Sequence, residues 1–476
     1  MPALINRLDP DLVDMYTRPR SGMRTILTDT FRADTEISLW DLARELRRTL
    51  PHGSETIPKQ IDHAVLRRTR PPLLLGAPID VINEINTLLA TLTEDEQRHF
   101  IPKAQGGELG EQSWYFEGRH TEARQITAWL RTHHTGMLVI TGPAGSGKSA
   151  LLGHLITQTH PALRHTLNRH GLLTTASQDE RPPDNTFDTV LHLTGLTTMD
   201  IVRRLATTAG LHAVPDSLNA ALPSLTESIA HHGQLTIVVD ALDEAVEPLT
   251  VAGAVIRPLA QIAGVRIVIG TRRSTLEGPD HPQPTDDNLL HALGVPEDST
   301  ITVTTDGTAI GRYVHKRLTI AADRKQFDAP PSALIDASIA IGTSGKPFLF
   351  ARLAVHELIA TPTLLAAIGI NQLLAADHRQ LFSLAVDRLT RHAPQFRSLL
   401  AALAFARGRG LPIRDGIWAC VATALRPETP IEGADITHLL TAAAPYLLLD
   451  REHDQTVYRL AHRTFAEHFT SETTLT

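Results

Sequence analysis

Gly142-Pro-Ala-Gly-Ser-Gly-Lys148-Ser149 is a complete G-x-x-x-x-G-K-[ST] phosphate-binding loop. Its flanks have the right character. Met137-Leu-Val-Ile-Thr141 before it reads as a short buried strand, and Ala150-Leu-Leu-Gly-His-Leu-Ile156 after it as an apolar helix. Glycines let backbone N–H groups curl around a phosphate without Cβ clashes, and the helix N-terminus adds partial positive charge. Gly142, Pro143, Ala144, Gly145, Ser146, Gly147, Lys148, Ser149 and Ala150 are therefore expected to line a nucleotide's phosphates. Lys148 would reach the β- and γ-phosphates, and the Ser149 hydroxyl would ligate Mg²⁺.

Composition bounds the remainder. A chain of 476 residues should hold two to four domains, and 42% hydrophobic with 20% charged residues is the balance of a globular protein. A net charge of −7 argues against nucleic-acid binding of the general electrostatic kind. No run reaches the roughly 18 apolar residues of a membrane span, and the first residues show no signal-peptide pattern, so a cytoplasmic protein with no membrane partner is expected. The single cysteine, Cys420, excludes an intramolecular disulfide framework and any multi-cysteine metal site.

A second site element follows at the expected distance. Leu235-Thr-Ile-Val-Val239 is β-branched and apolar, as a central parallel strand should be, and it ends in Asp240-Ala-Leu-Asp243-Glu244. A carboxylate at that strand end can hold the Mg²⁺ hydration shell, which assigns Asp240 to the metal with Ser149. Asp243 and Glu244 lie close enough to orient a water; Glu244 is preferred as the water-positioning base, with Asp243 the alternative. A further strand, Val265-Arg-Ile-Val-Ile-Gly270, runs into Thr271-Arg272-Arg273, and Arg273 is expected to sense the γ-phosphate electrostatically; the alternative is a solvated basic turn. Thr189-Val-Leu-His-Leu193 reads as another strand and 198–209 as an amphipathic helix. This alternation predicts a doubly wound α/β domain with right-handed crossovers.

The hydrophobic strand with D-A-L-D-E-A resembles the second motif of STAND-class P-loop NTPases, of the NACHT-like kind often fused to caspase-like effectors and WD40 repeats. Trp114-Tyr-Phe-Glu-Gly-Arg119 is similar to the family's aromatic-Gly-Arg element, which implies that Phe116 and Arg119 approach the adenine. Ser344-Gly-Lys-Pro347-Phe-Leu-Phe-Ala351 looks like the family's G-x-P element, whose proline, here Pro347, would pack near the base. Helices around 396–406, 413–425 and 436–443, a hairpin of 446–450 with 456–460, and a last helix opening at His462 have the layout of a winged helix. By the same resemblance, His462 would contact the β-phosphate of ADP in a resting state.

The fold class read from these features is an α/β P-loop NTPase, a parallel sheet sandwiched by helices, followed by a helical domain and a C-terminal winged-helix domain. A small, mainly helical N-terminal region precedes them. The expected boundaries are 1–92 for that region, an effector remnant or adaptor, 93–113 for a linker, 114–275 for the NTPase, 276–394 for the helical domain with a linker, and 395–476 for the winged helix. Within the first, 37–50 and 78–92 read as helices, and 22–75 faintly resembles the C-terminal part of caspase-like effectors. With no cysteine before Cys420, no protease activity is expected.

The resemblance implies a switch that holds ADP with Mg²⁺, exchanges it for ATP, self-associates and hydrolyses slowly, in bacterial defence or regulated cell death. The chain stops at Thr476 without a 20–50-residue repeat, so a separate sensor or effector protein, or a shortened version, is expected. A remodelling or loader ATPase of the AAA+ kind and a nucleotide-bound scaffold are the other readings. Preference for ATP over GTP rests on the resemblance alone.

Overall fold

The computed structural model describes residues 79–472, apart from 107–113, 174–175, 212, 276–286, 407, 427–429 and 453–454. The expectations for 22–75 lie outside the described residues. The chain divides into two units. The larger comprises residues 72–305, 347–353 and 377–476.

That unit is built on a five-stranded parallel sheet: β1 (Gly136–Thr141), β2 (Thr189–His192), β3 (Leu235–Asp240), β4 (Val265–Gly270) and β5 (Thr300–Thr302), in the order β2-β3-β4-β1-β5. Side chains alternate between faces along each strand. Val139, Ile237, Val239, Ile267 and Ile269 pack with the helices Thr198–Thr208 and Leu218–His232 on one side. Leu138, Ile140, Val238 and Val268 pack on the other with the helices His120–Thr132 and Lys148–Thr159. Apolar residues at both parities explain why these strands read as continuous hydrophobic runs. The fold is thus the expected α/β P-loop fold. Its fifth strand lies beyond residue 275, so the sheet extends past the boundary read from sequence; three residues of Thr-Ile-Thr are too short to announce themselves.

The stretch 93–113 is not simply a linker. Within it, helices α1 (Glu96–Phe100) and α2 (Ile101–Gln105) run one into the other. Phe100 is fully buried in the core against the P-loop helix α3 (Lys148–Thr159). Gly153 of α3 makes that approach possible, since a Cβ there would lie 2.1 Å from the Phe100 carbonyl oxygen. The polar residues of this stretch are not left to solvent: Asp95, Glu96 and His99 are all buried and paired.

The last part of this unit holds helices α4 (Gln395–Phe405), α5 (Ile417–Leu425) and α6 (Gly433–Ala442), and a sheet of β6 (Leu411–Pro412), β7 (Leu447–Glu452) and β8 (Gln455–Leu460) in the order β6-β8-β7. Helix α7 (Arg463–Glu472) closes it. Its core includes Trp418, Phe465 and Tyr446, with Trp418 Nε1 donating to the Leu399 carbonyl.

The smaller unit has described residues 306–346 and 354–376. Its helices Gly307–Asp323 and Pro331–Gly342 touch backbone to backbone: a Cβ on Gly342 would sit 2.7 Å from the Gly307 oxygen. Among the described residues no helix is long and apolar enough to cross a membrane.

The Gly153 contact yields a prediction of unusual sign. Glycine to alanine inside a helix ordinarily stabilises by about 1 kcal/mol. Gly153→Ala should instead destabilise by about 1–3 kcal/mol, because backbone and not a flexible side chain must yield. A rise in the thermal unfolding midpoint would show that α1 and α2 do not pack there.

Candidate nucleotide-binding site

The loop between β1 and α3 has the shape its glycines permit. Gly142, Gly145 and Gly147 have φ of 152°, 72° and 98°, in the left-handed range that disfavours side chains. Two of them also face crowding: a Cβ on Gly142 would lie 2.7 Å from the Val303 oxygen, and one on Gly145 would lie 2.4 Å from Leu349 Cβ. Lys148 Nζ donates to the Gly142 and Pro143 carbonyls at 2.7 and 3.1 Å. Ser146 is buried in the turn, and its N–H donates to the Pro143 oxygen. Ala144, Ser149 and Ala150 occupy the loop and the first turn of α3.

Asp240 ends β3, opposite Gly270 on β4 and His192 on β2. It is buried, and its Oδ2 lies 2.7 Å from His99 Nε2; the Ser149 hydroxyl also donates to it. Burial works to raise its pKa, but the His99 hydrogen bond and charge, with the Ser149 bond, prevail and hold it below the usual carboxylate value. Gly270 has to be glycine here, since its Cβ would meet Asp240 Oδ1 at 2.4 Å.

Ala241 then takes left-handed angles (φ 58°), turning the chain so that Leu242 is buried and Asp243 and Glu244 follow in a single 3-10 turn. The two acids have different surroundings. Asp243 is buried beside Arg272, whose Nε lies 3.1 Å from Oδ2 and whose backbone N–H donates to Oδ1. Burial pushes its carboxyl up, and the Glu244 charge adds to that. For Glu244, burial opposes the charged form, but the Thr194 hydroxyl, donating at 2.6 Å, and the Arg459 charge hold it below the ordinary value. Of the pair, Glu244 is the one whose charged form its surroundings favour more.

The structure brings Ser149, Asp240, Asp243 and Glu244 to the loop's side of the sheet. It does not bring Arg273: that side chain is 41% exposed and pairs with Asp287 at 2.7 Å. Its neighbour Arg272 holds the buried position, beside Asp243. Arg119 lies under the loop, donating to the carbonyls of Ser146 and Thr304 and facing the Phe348 ring at 5.5 Å. Phe116 stacks on His154 at 4.2 Å. Pro347 precedes a helix start whose Leu349 N–H donates to the Gly145 oxygen.

His462 sits ahead of α7 and accepts from the Thr464 N–H through Nδ1. Burial, and then the charges of Lys103 and Arg272, depress its pKa well below the usual histidine value. Next to it, Arg463 Nη1 approaches the Asp243 carbonyl at 3.5 Å and its carboxylate at 3.9 Å. Sequence reasoning did not single out His99, Lys103, His192, Thr194, Arg409 or Arg463. His192 stacks on His99 at 3.5 Å, and its Nε2 shares a 2.6 Å hydrogen bond with the Thr194 hydroxyl. Arg409 is buried between Asp95 and Asp450 and donates to the His192 carbonyl.

The cradle fits a polyphosphate: positive-φ glycines present backbone N–H groups, and cations gather around them. Among the described residues no cluster of three or more His, Cys, Asp or Glu could hold a metal by itself. Ser149 and Asp240 supply two oxygen donors, which suits Mg²⁺ completed by waters and phosphate oxygens.

Two measurements check this electrostatic layout. Arg272→Ala should cost about 3 kcal/mol in urea unfolding by leaving Asp243 buried and unpaired, while Arg273→Ala should cost less than about 1 kcal/mol; equal losses would overturn the assignment. His99, His154, His192 and His462 all have folded pKa values below 6.5, that of His154 down to about 4. The unfolded chain then binds more protons below pH 6.5, so stability should be full above it and fall as the pH drops toward 4. A midpoint that rises on acidification in this window would contradict the buried neutral rings.

The likenesses to known proteins are distant. The family model for the N-terminal region of nephrocystin 3 matches residues 117–269. Among curated proteins none matches this chain. The chain is similar to the Walker-type ATPase of Pyrococcus abyssi (14% identity, 75% of this chain and 96% of that one, TM-score 0.27). It is similar also to the Aeropyrum pernix ORC1 protein in complex with DNA (13%, 75% and 92%, 0.30). A third is Drosophila ORC bound to GC-rich DNA and Cdc6 (13%, 84% and 97%, 0.24).

Proposed function

We propose that the protein is a nucleotide-controlled switch of the STAND kind, with ADP and ATP as its ligands and slow ATP hydrolysis as its reset. The observation that carries this is the placement of the 409–463 segment on the catalytic acids. Arg463 reaches Asp243, the charge of Arg459 acts on Glu244, and Arg409 bonds the carbonyl of His192 at the strand edge. A site whose own acids are held by a C-terminal module, here read as a winged helix, gives a ligand two states to choose between.

In this reading Gly142 to Ser149 hold the phosphates, Lys148 neutralises charge on them, and Ser149 with Asp240 holds Mg²⁺. The metal when bound would neutralise phosphate charge. Glu244, its charged form favoured by Thr194 and Arg459, orients the attacking water, while Arg272 senses the terminal phosphate through Asp243. Arg119 positions the loop rather than the base. Opening of the module frees its surface for self-association and for a separate sensor or effector.

Freshly purified protein, once denatured, should release close to one equivalent of ADP. Glu244→Gln should assemble with ATP in size-exclusion chromatography, since it retains an acceptor for Thr194 but lacks the carboxylate that activates water; Lys148→Ala should bind neither nucleotide. An empty site with fast turnover would favour a remodelling ATPase, and a Glu244→Gln monomer under saturating ATP would remove the switch reading.

A further inference from the structure

Helix α5 is apolar all round, although a helix at a protein surface ordinarily keeps one polar face. From Gly416 to Leu425 the sequence Gly-Ile-Trp-Ala-Cys-Val-Ala-Thr-Ala-Leu carries no charge. The fold uses one face of it. Trp418 and Ala422 are fully buried on a helix packed against α4 and β6, and Trp418 also stacks on Tyr458 of β8. The other face is open. Ile417, Cys420, Ala424 and Leu425 are exposed and Val421 is half-buried, at the i, i+3, i+4, i+7, i+8 spacing of a single helical stripe. Eight large apolar side chains stand exposed among the described residues, and Phe405, Ile413, Ile417 and Leu425, four of the eight, fall in this short stretch of chain. Single exposed apolar residues are normal, whereas a concentrated set marks a surface that another body covers.

The stripe itself points to that body. Copies of a chain with net charge −7 repel one another, and they meet most easily where no charge stands. The size pattern is self-complementary. About a two-fold axis between Cys420 and Val421, an antiparallel copy of α5 sets Ile417 opposite Ala424 on each side, large against small, and brings the two Cys420 side chains together. Charge at the two ends agrees. The residues just beyond the stripe are all exposed: Arg414 and Asp415, 3.9 Å apart, at the N-terminal end and Arg426 at the C-terminal end. An antiparallel copy places Asp415 alongside Arg426 at both ends, whereas a parallel one would set Arg426 against Arg426.

We propose that α5 is a homodimer interface, through which two copies of the chain pair antiparallel about a two-fold axis at Cys420 and Val421. The stripe is exposed while the 409–463 segment sits on the acids of the sheet edge, so this pairing requires no opening of the C-terminal module. It goes beyond the nucleotide reading and does not depend on it.

Cys420, exposed within the stripe and the chain's single cysteine, is a specific probe. Sedimentation of the full chain over a concentration series should reveal a dimer, and a short bismaleimide should join Cys420 to its counterpart. Ala424→Arg keeps the cysteine but places an unpaired charge at the contact, so it should weaken the dimer about tenfold or more and remove the cross-link. Arg426→Glu should weaken it less, and at low salt only. Both positions are exposed, so thermal midpoints should match wild type; if that of Ala424→Arg falls, Leu425→Lys carries the same test. A chain that stays monomeric and uncross-linked would give the stripe to a different partner and overturn the proposal. So would a dimer that the folded charge variant leaves intact. Nucleotide released from these variants should equal that from wild type, which separates failure of the dimer from failure of the nucleotide reading.

Discussion

Asp240 is a carboxylate buried at the end of a central strand, and much of the surrounding architecture follows from keeping it there. A charge in that position is tolerated when hydrogen bonds replace its water. Ser149 provides one from the P-loop helix, and His99 the other from a helix that precedes the sheet by some forty residues. The residue opposite must lack a side chain, which accounts for Gly270. The same demand explains why residues 96–105 are folded into the domain rather than left as a tether. His99 brings Phe100 with it, and Gly153 yields the space.

The second acid pair extends the pattern across the chain. Asp243 is matched by Arg272 from the neighbouring strand, and Asp95 by Arg204 and Arg409. Arg409 stands more than three hundred residues after Asp95 in sequence. Buried pairs of this kind contribute little net stability against well-packed apolar groups, yet separating them is expensive. They therefore act as registration points that make the 409–463 segment sit in one place on the sheet edge. Gly195 and Gly408 meet there backbone to backbone, with a Cβ on the first only 2.4 Å from the oxygen of the second.

What was legible in the sequence was local. The loop, the hydrophobic strands and the acidic turn after β3 declare themselves within a few residues, because phosphate binding and strand burial each impose a short pattern. Helix and hairpin order beyond residue 395 could be read for the same reason. Which of the adjacent Arg272 and Arg273 would be buried on Asp243 and which would stand exposed on Asp287 was not legible, since both follow the strand in an irregular turn. His99, Lys103, His192 and Arg409 carried no such signal. Each is a single residue whose meaning comes from a partner far away in sequence, and one of 24 histidines gives no indication that it will be buried. Residues 95–99 did not read as core because polar side chains suggest water, whereas here Asp95, Glu96 and His99 find partners elsewhere in the domain.

The stacked rings of His99 and His192 have a consequence of their own. One ring bonds Asp240 and the other, through Thr194, reaches Glu244. The rings meet by their faces, where there is no N–H and no lone pair to pass a proton. The two carboxylates are thus joined by a contact that carries position and blocks protonic conduction. Packed at 3.5 Å, the ring on Asp240 cannot advance without pressing on the ring bonded to Thr194. The arrangement is a mechanical coupling with electrical insulation, made from two side chains that are usually noted for the opposite property.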